Sequence, residues 1–182
     1  MKKIMFNDKY GLTKAVLEGR KTMTRRSVPE KLIKAIEGGV PGFAVMESKF
    51  KVGEVAAVAQ AYDDIVSTEL YADELLVDKL HLEDTPGWSN KMFVRADLMP
   101  HQIRIKNVRV ERLQDISDED CIREGIVKAL GLYGCEGLCE RGDQLYFGSP
   151  RSAFAALINK ISGKGTWESN PWVFVYEFEL VK

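Results

Sequence analysis

The ten residues before the C-terminal lysine alternate between two kinds of side chain. In the segment 172–181, large apolar side chains occupy every second position, with valine or glutamate at each position between them. Successive side chains of a β-strand point to opposite faces, and aromatic and β-branched residues favour strands. The segment therefore predicts a long strand with two chemically different faces. This strand is the firmest constraint on the fold, because the rest of the chain must supply a sheet around it.

The other predicted elements mix strands and helices without a repeating order. The N-terminal third predicts a strand at 2–6, a helix that Gly19 ends, a second helix that Pro29 opens, and a strand at 55–61. No strand–helix–strand rhythm repeats, so the sequence predicts an α+β fold, a small β-barrel flanked by helices. At 182 residues, the chain is expected to form a single domain spanning 1–182.

The C-terminal half predicts a long β region at 93–113. Ile103 and Ile105 share one face, whereas Val108 has the opposite parity, so a bulge near 106–107 is expected to reset the phase. Ser117 is expected to cap a short helix that Gly125 ends. A further helix is predicted from 149, and the glycine-rich segment 131–142 is interpreted as a loop.

Basic and acidic residues are concentrated in different parts of the chain. Residues 1–34 carry ten Lys/Arg against three acids, whereas residues 63–84 carry eight acids against one lysine. The acidic residues fall in a predicted helical excursion from the core fold at 63–90. A sorted charge can mark a basic surface for polyanions, but the two segments can equally neutralise each other in space. A third interpretation makes the acidic segment 63–84 a contact surface for a protein partner.

Nothing in the sequence predicts export, a membrane or a cofactor. The N-terminus lacks the apolar stretch of a signal peptide, and the longest uncharged apolar run is far shorter than the roughly 20 residues that span a bilayer. We therefore expect a cytoplasmic protein with reduced thiols at Cys121, Cys135 and Cys139. The spacing of the last two lies within the zinc range, but no fourth ligand has a fixed spacing, so no metal site is expected.

The segment 19–26, GRKTMTRR, concentrates four cations and two threonines directly after the first predicted helix. Guanidinium forks suit phosphates and carboxylates, so we interpret this segment as a candidate site for an anionic or nucleic-acid ligand. The candidate ligand-binding residues are Arg20, Thr22, Arg25 and Arg26.

The same segment offers a candidate amine and hydroxyl, Lys21 and Thr24. In a regular strand, residues 21 and 23 face one side and residues 22 and 24 face the other. Lys21 and Thr24 can therefore meet only if the chain turns between them or the long lysine stem wraps round. A straight strand would instead make one wall from Thr22, Thr24 and Arg26.

The order of several motifs resembles the ASCH domain family of the PUA-like superfamily, and most closely its prophage and gut-bacterial members. The resemblance covers about two thirds of the chain, and its motifs are specific in combination. They are GRKTMTRR at 19–26, VGE at 52–54, IKNVRVERLQDI at 105–116, SDEDCIREG at 117–125 and WESNPWVFVYEF at 167–178.

The resemblance implies a small β-barrel flanked by helices, with a cleft beside the segment 19–26. It also implies binding of RNA or of a small nucleoside ligand. A branch of the family hydrolyses the amide of N4-acetylcytidine with a lysine, a threonine and a glutamate. Carried over by motif, these catalytic residues fall on Lys21, Thr24 and Glu124.

This chain departs from the family pattern in two places. It is longer than the compact hydrolase branch, chiefly through 63–90 and the glycine-rich segment. Where prophage relatives carry an Arg-Glu pair, this chain has Ala59 and Gln60. Three interpretations therefore stay open: an amidohydrolase acting on acylated cytidine, a non-catalytic RNA-binding module, and a protein-interaction module.

Overall fold

The computed structural model describes residues 1–66, 81–138 and 146–181. Its strands, in chain order, are β1 (Lys2–Ile4), β2 (Met23–Ser27), β3 (Val55–Val58), β4 (Gln102–Arg112), β5 (Val127–Ala129), β6 (Leu132–Gly134) and β7 (Trp172–Leu180). Five of them form one sheet in the order β1-β3-β4-β7-β2. The sheet is mixed, because β1 runs parallel to β3 whereas β3 pairs antiparallel with β4, and β2 with β7.

Seven α-helices accompany these strands among the described residues. They are α1 (Leu12–Leu17), α2 (Glu30–Glu37), α3 (Pro41–Met46), α4 (Tyr62–Val66), α5 (Asp118–Arg123), α6 (Pro150–Ser162) and α7 (Thr166–Ser169). Helices and a mixed sheet confirm the predicted α+β class. Within the described residues, no helix combines the length and the apolar composition needed to cross a bilayer.

The predicted C-terminal strand is present as β7, which lies between β4 and β2 in the sheet. Its central residues are buried on both faces: Phe174 and Tyr176 on one, Val173 and Val175 on the other. A central strand must be covered on both sides, which explains why its second face carries valines at these positions. The period-two pattern was therefore sufficient to predict this element.

The predicted change of phase along β4 is also confirmed. Ile103 and Ile105 are fully buried, Lys106 and Asn107 are both exposed, and Val108 is buried again. Two consecutive exposed residues shift the inward set by one position, so both apolar runs reach the core. The later part of β4 also carries Arg109 and Glu111, which are described with the site below.

Contacts divide the described chain into two compact units. The first unit comprises the described parts of residues 1–6, 55–104 and 180–182. Its apolar cluster is built around Tyr62, Ile65, Leu82 and Met99, with Trp88 packed against it. The cluster shows that the described ends of the predicted excursion carry core residues of their own. Residues 67–80 of the excursion, with four of its eight acidic residues, lie outside the described residues.

The second unit comprises the described parts of residues 7–54 and 105–179. Its core brings together fully buried side chains from β2, β4, β7, α5 and α6, among them Met23, Ile105, Val175, Cys121 and Leu157. Each such aliphatic side chain contributes about 1.5–3 kcal/mol to folding on burial. All the candidate site residues belong to this unit.

One predicted loop was wrong in part. The segment 131–142, interpreted as a glycine-rich loop, contains the strand β6. This strand forms a hairpin with β5, in which Ala129 pairs with Leu132. The two residues between them, Leu130 and Gly131, both have positive φ, 50° and 82°. Two positive φ values in a two-residue turn are the requirement of a tight hairpin. Residues 139–145 of this segment lie outside the described residues.

Candidate functional site

Lys21 is carried into the interior by the turn that ends α1. Gly19 has a φ of 71°, which L-residues with a side chain rarely adopt, and the Lys21 backbone N–H then donates to Ala15 O at 2.8 Å. This turn reverses the chain and leaves Lys21 before the first residue of β2. Its side chain is only 2% exposed. The lysine that the sequence singled out therefore carries a buried amine.

Glu124 meets Lys21 from 103 positions away in the sequence. Lys21 Nζ lies 2.5 Å from Glu124 Oε2 and 2.7 Å from the Glu124 backbone oxygen. Glu124 is the C-cap residue of α5, whose N-terminus is capped by Ser117 through a hydrogen bond from the Asp120 N–H. The predicted cap and helix are thus confirmed, and they place the carboxylate beside the amine.

Gly125 leaves room for this pair. It follows Glu124 with a φ of 107°, and a Cβ at this position would lie 3.1 Å from Leu12 Cδ2 and 3.7 Å from Lys21 Cδ. Glycine is therefore required here both for its backbone conformation and for the space that it leaves. The end of α5 and the lysine stem are in van der Waals contact.

Arg25 binds the other oxygen of the same carboxylate. Its Nη1 donates to Glu124 Oε1 at 3.1 Å, while Nε and Nη2 donate to Glu111 Oε1 and Nη2 also to Asp120 Oδ2. The second Nη1 hydrogen points at Met23 Sδ, 3.2 Å away. Every N–H of the guanidinium therefore has an acceptor inside the protein. Arg25 has none left to offer a phosphate.

A second layer of charges surrounds this centre. Arg109 donates to Glu111, Asp120 and Glu177, and Arg123 donates to Asp120 and Glu177. These side chains are half-buried, so their attraction is screened by solvent more than that of the centre. The acids of this layer, which the sequence did not single out as site residues, hold the arginines of β2 and β4 in place.

The two threonines have different surroundings. Thr22 Oγ1 accepts from Arg123 Nε at 3.3 Å, and the Thr22 N–H donates to Arg123 O at 2.9 Å. Thr24 is buried in β2 opposite Tyr176 of β7. The sequence resemblance implies a nucleophilic role for Thr24, and that role stays a prediction.

Arg20 and Arg26 are both exposed, unlike Arg25. Arg20 is exposed and pairs with Glu18 at 2.5 Å, so the structure does not bring it to the site. Arg26 alternates with Arg25 in β2 and its side chain is solvent-exposed. Desolvation by its packed surroundings lowers the pKa of Arg26, while the negative charge of Glu124 acts in the opposite direction.

Burial lowers the pKa of Lys21 from its ordinary value, and the charges of Arg26 and Arg25 act in the same direction. The charge of Glu124 and its hydrogen bond oppose that change without cancelling it. Removing an ammonium from water disfavours its charged form, which is why burial is the largest influence. The amine is therefore closer to losing its proton than a surface lysine is.

The residues that could hold a metal ion are few. No group of three or more His, Cys, Asp or Glu with suitable geometry is found among the residues that the structure describes. Cys121 is fully buried, and burial raises its pKa to about 12, which makes it an inert core thiol. Cys135 is half-buried, and Cys139 lies outside the described residues.

The two residues of the family departure lie in the first unit. Ala59 is buried, and Gln60 Oε1 lies 2.8 Å from Nδ1 of His101. Burial lowers the pKa of His101. Gln60 and His101 therefore form a polar pair within the first unit.

Comparisons with known proteins leave the family open. No family model matches the sequence, and no curated protein matches it. Among solved structures, the chain is similar to a protein from Enterococcus faecalis described by the family model DUF984, with 16% sequence identity and a TM-score of 0.43. That alignment covers 100% of this chain and 77% of the other.

Proposed function

We propose that this chain is an ASCH-type, PUA-like domain that binds a modified nucleoside beside Lys21 and Glu124 and hydrolyses the amide of N4-acetylcytidine-like substrates. The observation that carries the proposal is the buried contact of 2.5 Å between Lys21 Nζ and Glu124 Oε2. The sequence resemblance assigned these two residues to one reaction although 103 positions separate them. Chance proximity of a buried amine and a buried carboxylate is rare, because burying each charge is costly.

The groups suit a covalent amide hydrolysis. Thr24 Oγ1 attacks the acetyl carbonyl carbon while its proton passes to the neutral Lys21 amine. The lysine then gives that proton to N4 as the C–N bond breaks, releasing cytidine and leaving an acetyl ester on Thr24. A water molecule, deprotonated in the same way, hydrolyses the ester to acetate and restores the hydroxyl. The net reaction consumes one water.

The contacts of Lys21 support its role as the base. A neutral amine has two N–H bonds, and the two oxygens of Glu124 described above are positioned to accept them. Its lone pair then stays available to take a proton. Glu124 orients the amine and stabilises the ammonium that forms during the reaction.

Purified protein incubated with N4-acetylcytidine should release cytidine and acetate, which chromatography measures directly. Lys21→Ala and Thr24→Ala should each lower kcat by about 10²-fold or more, the usual scale of a lost acid–base or nucleophilic group. Thr24→Ser should retain most of the turnover, because it keeps the hydroxyl.

Lys106→Ala is the matched control, since Lys106 pairs with Glu179 on the surface with both side chains about half exposed. It should leave kcat unchanged. Equal turnover by wild type and Lys21→Ala, or a wild-type protein inert toward acylated pyrimidines, would remove the hydrolase proposal.

The second candidate is a non-catalytic RNA-binding module, and Arg26 is the observation that favours it. Arg26 is an exposed cation on β2, beside the buried centre. The two other arginines of the segment 19–26 are held by acids, Arg20 by Glu18 and Arg25 by three carboxylates. Because two of its three arginines are held in this way, the segment suits a nucleoside better than a long polyphosphate chain.

A further inference from the structure

We propose that Arg25 is a positioning residue, whose guanidinium fixes the Glu124 carboxylate in the orientation that holds Lys21. This inference rests on the proposed function, because it assigns Arg25 a part in the same site. It also changes the role expected for Arg25 from the sequence, from a ligand-binding residue to one that acts through Glu124.

The Glu124 carboxylate is held at both of its oxygens by different cations. Oε1 accepts from Arg25 at 3.1 Å and Oε2 from Lys21 at 2.5 Å. The side chain is only 5% exposed, so water cannot replace either partner. With both oxygens committed, the plane of the carboxylate is determined. Losing the Arg25 contact would free the group to rotate about its last bond.

The guanidinium of Arg25 is itself immobilised. Its bonds to Glu111 and Asp120 are charge-assisted, and the side chain is 1% exposed. Such bonds are about twice as strong as neutral ones and fix the planar group in direction as well as position. Glu111 comes from β4, and Asp120 and Glu124 from α5 and its C-cap. Arg25 therefore aligns the carboxylate of a short helix with the sheet.

Two substitutions separate the effect of the planar geometry of Arg25 from the effect of its positive charge. Arg25→Lys keeps the positive charge but cannot reach the three carboxylates together, because an ammonium lacks the planar fork. Arg25→Gln removes the charge altogether. The charge of Arg25 is one of the influences that lower the pKa of Lys21, so only the second variant removes that influence.

Two measurements test the inference. Steady-state kinetics with N4-acetylcytidine should show kcat falling about tenfold or more for Arg25→Lys while KM changes by less than about twofold, because misplacement of a catalytic group affects the chemical step. NMR titration of the 13C-labelled lysine side chains should show a higher pKa for Lys21 in Arg25→Gln than in wild type. Arg25→Lys is the variant that guards against misfolding, since it keeps a positive charge among the three carboxylates.

Arg109→Gln is the matched control, because Arg109 binds Glu111 and Asp120 but not Glu124. It should leave both kcat and the Lys21 titration close to wild type. A loss of kcat equal to that of Arg25→Lys would overturn the inference, since the whole network would then be structural. If wild type proves inert, the proposed function fails alone, and the titration of Arg25→Lys decides on Arg25. That variant keeps the positive charge but releases Glu124, whose contact raises the pKa of Lys21, so the pKa should fall below that of wild type. An unchanged Lys21 pKa in Arg25→Lys overturns the positioning role.

Discussion

Lys21 shows how one residue can be both costly to the fold and useful to a site. Burying an ammonium costs several kcal/mol unless opposite charge and hydrogen bonds offset it. Glu124 supplies both a carboxylate oxygen and a backbone oxygen, yet the nearby arginines oppose the charge. A surface lysine such as Lys106 faces no such conflict. Ionisable groups held in unfavourable surroundings concentrate at functional sites, because perturbed proton affinity is what acid–base chemistry uses.

The lowered pKa of Lys21 predicts the pH dependence of the reaction. The amine acts as a base only without its proton, so log(kcat/KM) should rise with pH and level off once Lys21 is neutral. Because the pKa is lowered, the midpoint should lie below the ordinary lysine value of 10.5. Initial rates of N4-acetylcytidine hydrolysis measured from acidic to alkaline pH check this. A flat profile, or one that falls as pH rises, would exclude Lys21 as the base.

Individual site residues were predictable from the sequence to different degrees. Lys21 and Glu124 were predicted together, through motifs at both ends of the pair, and the structure brings them into contact. The acids that hold Arg25 were not predicted as site residues, because no local rule pairs a strand arginine with carboxylates 86 and 95 positions away. The available signals were only that Glu111 stands between Arg109 and Arg112, and that Asp120 lies in the acidic first turn of a predicted helix. The role of Thr24 stays a prediction.

The elements around the site are short, and each depends on its neighbours. α5 has six residues and β2 has five, lengths at which neither is stable in isolation. Cys121 anchors α5 in the core, and Ser117 satisfies its first free N–H groups. The position of Glu124 thus depends on how α5 ends, which is determined at Gly125.

Gly125→Ala should disturb the site through the end of α5. Alanine at a φ of 107° is strained, and its Cβ would press on Leu12 and the stem of Lys21. Strain of this kind costs about 1–3 kcal/mol, so the free energy of unfolding measured by urea titration should fall by that amount. Turnover of N4-acetylcytidine should fall with it.

Gly53→Ala serves as the comparison for that variant. Gly53 also has a positive φ, 83°, but a Cβ there would meet no atom within 4 Å. It should lose stability for the backbone reason alone and keep its turnover. Equal loss of turnover in both variants would show that the space beside Lys21 is not important.

Elements with strong local sequence signals were predicted, whereas a hairpin without a recognisable turn sequence was not. The cap at Ser117, the helix predicted from 149 and the alternation in β7 follow local rules, and the structure confirms them. The β5–β6 hairpin was missed because Leu130 occupies a turn position with positive φ, where asparagine, aspartate or glycine is expected. Leucine carries no turn signal, so the glycines around it indicated only a loop.

At the scale of the whole molecule, the sorted charge of the sequence is partly resolved within the second unit. The basic segment 19–26 is neutralised chiefly by acids of β4 and α5. The interpretation that acids at 63–84 neutralise it was not needed for these residues, although most of that segment lies outside the described residues. A formal net charge of −1 thus includes an internally balanced cluster.

This balance predicts weak salt dependence of ligand binding. Single-stranded RNA held through four phosphates would follow a slope of about −2.8 in log K against log salt, or about a 50-fold loss between 50 and 200 mM. A nucleoside held beside Lys21 should change its affinity by less than about twofold over the same range. Calorimetric titration with N4-acetylcytidine and with a short RNA distinguishes the two. A steep slope for the RNA with micromolar affinity would favour the RNA-binding module.

The α+β class was predictable because it depends on local patterns that add up along the chain. The barrel expected from the resemblance depends instead on non-local pairing and strand stagger, which no local pattern encodes. It stays a prediction beside the observed five-stranded mixed sheet. The same distinction explains why elements were easier to predict than the ion pairs between them.

Lys21 and Arg25 are four positions apart in the sequence, and each binds one oxygen of the Glu124 carboxylate. Adding or deleting a single amino acid between them would turn Arg25 to the opposite face of β2 while Lys21 stayed with the end of α1. A change in the spacing between the two residues would therefore remove one of the two contacts with Glu124. Between residues 21 and 25, substitutions are therefore the changes that can leave both contacts in place.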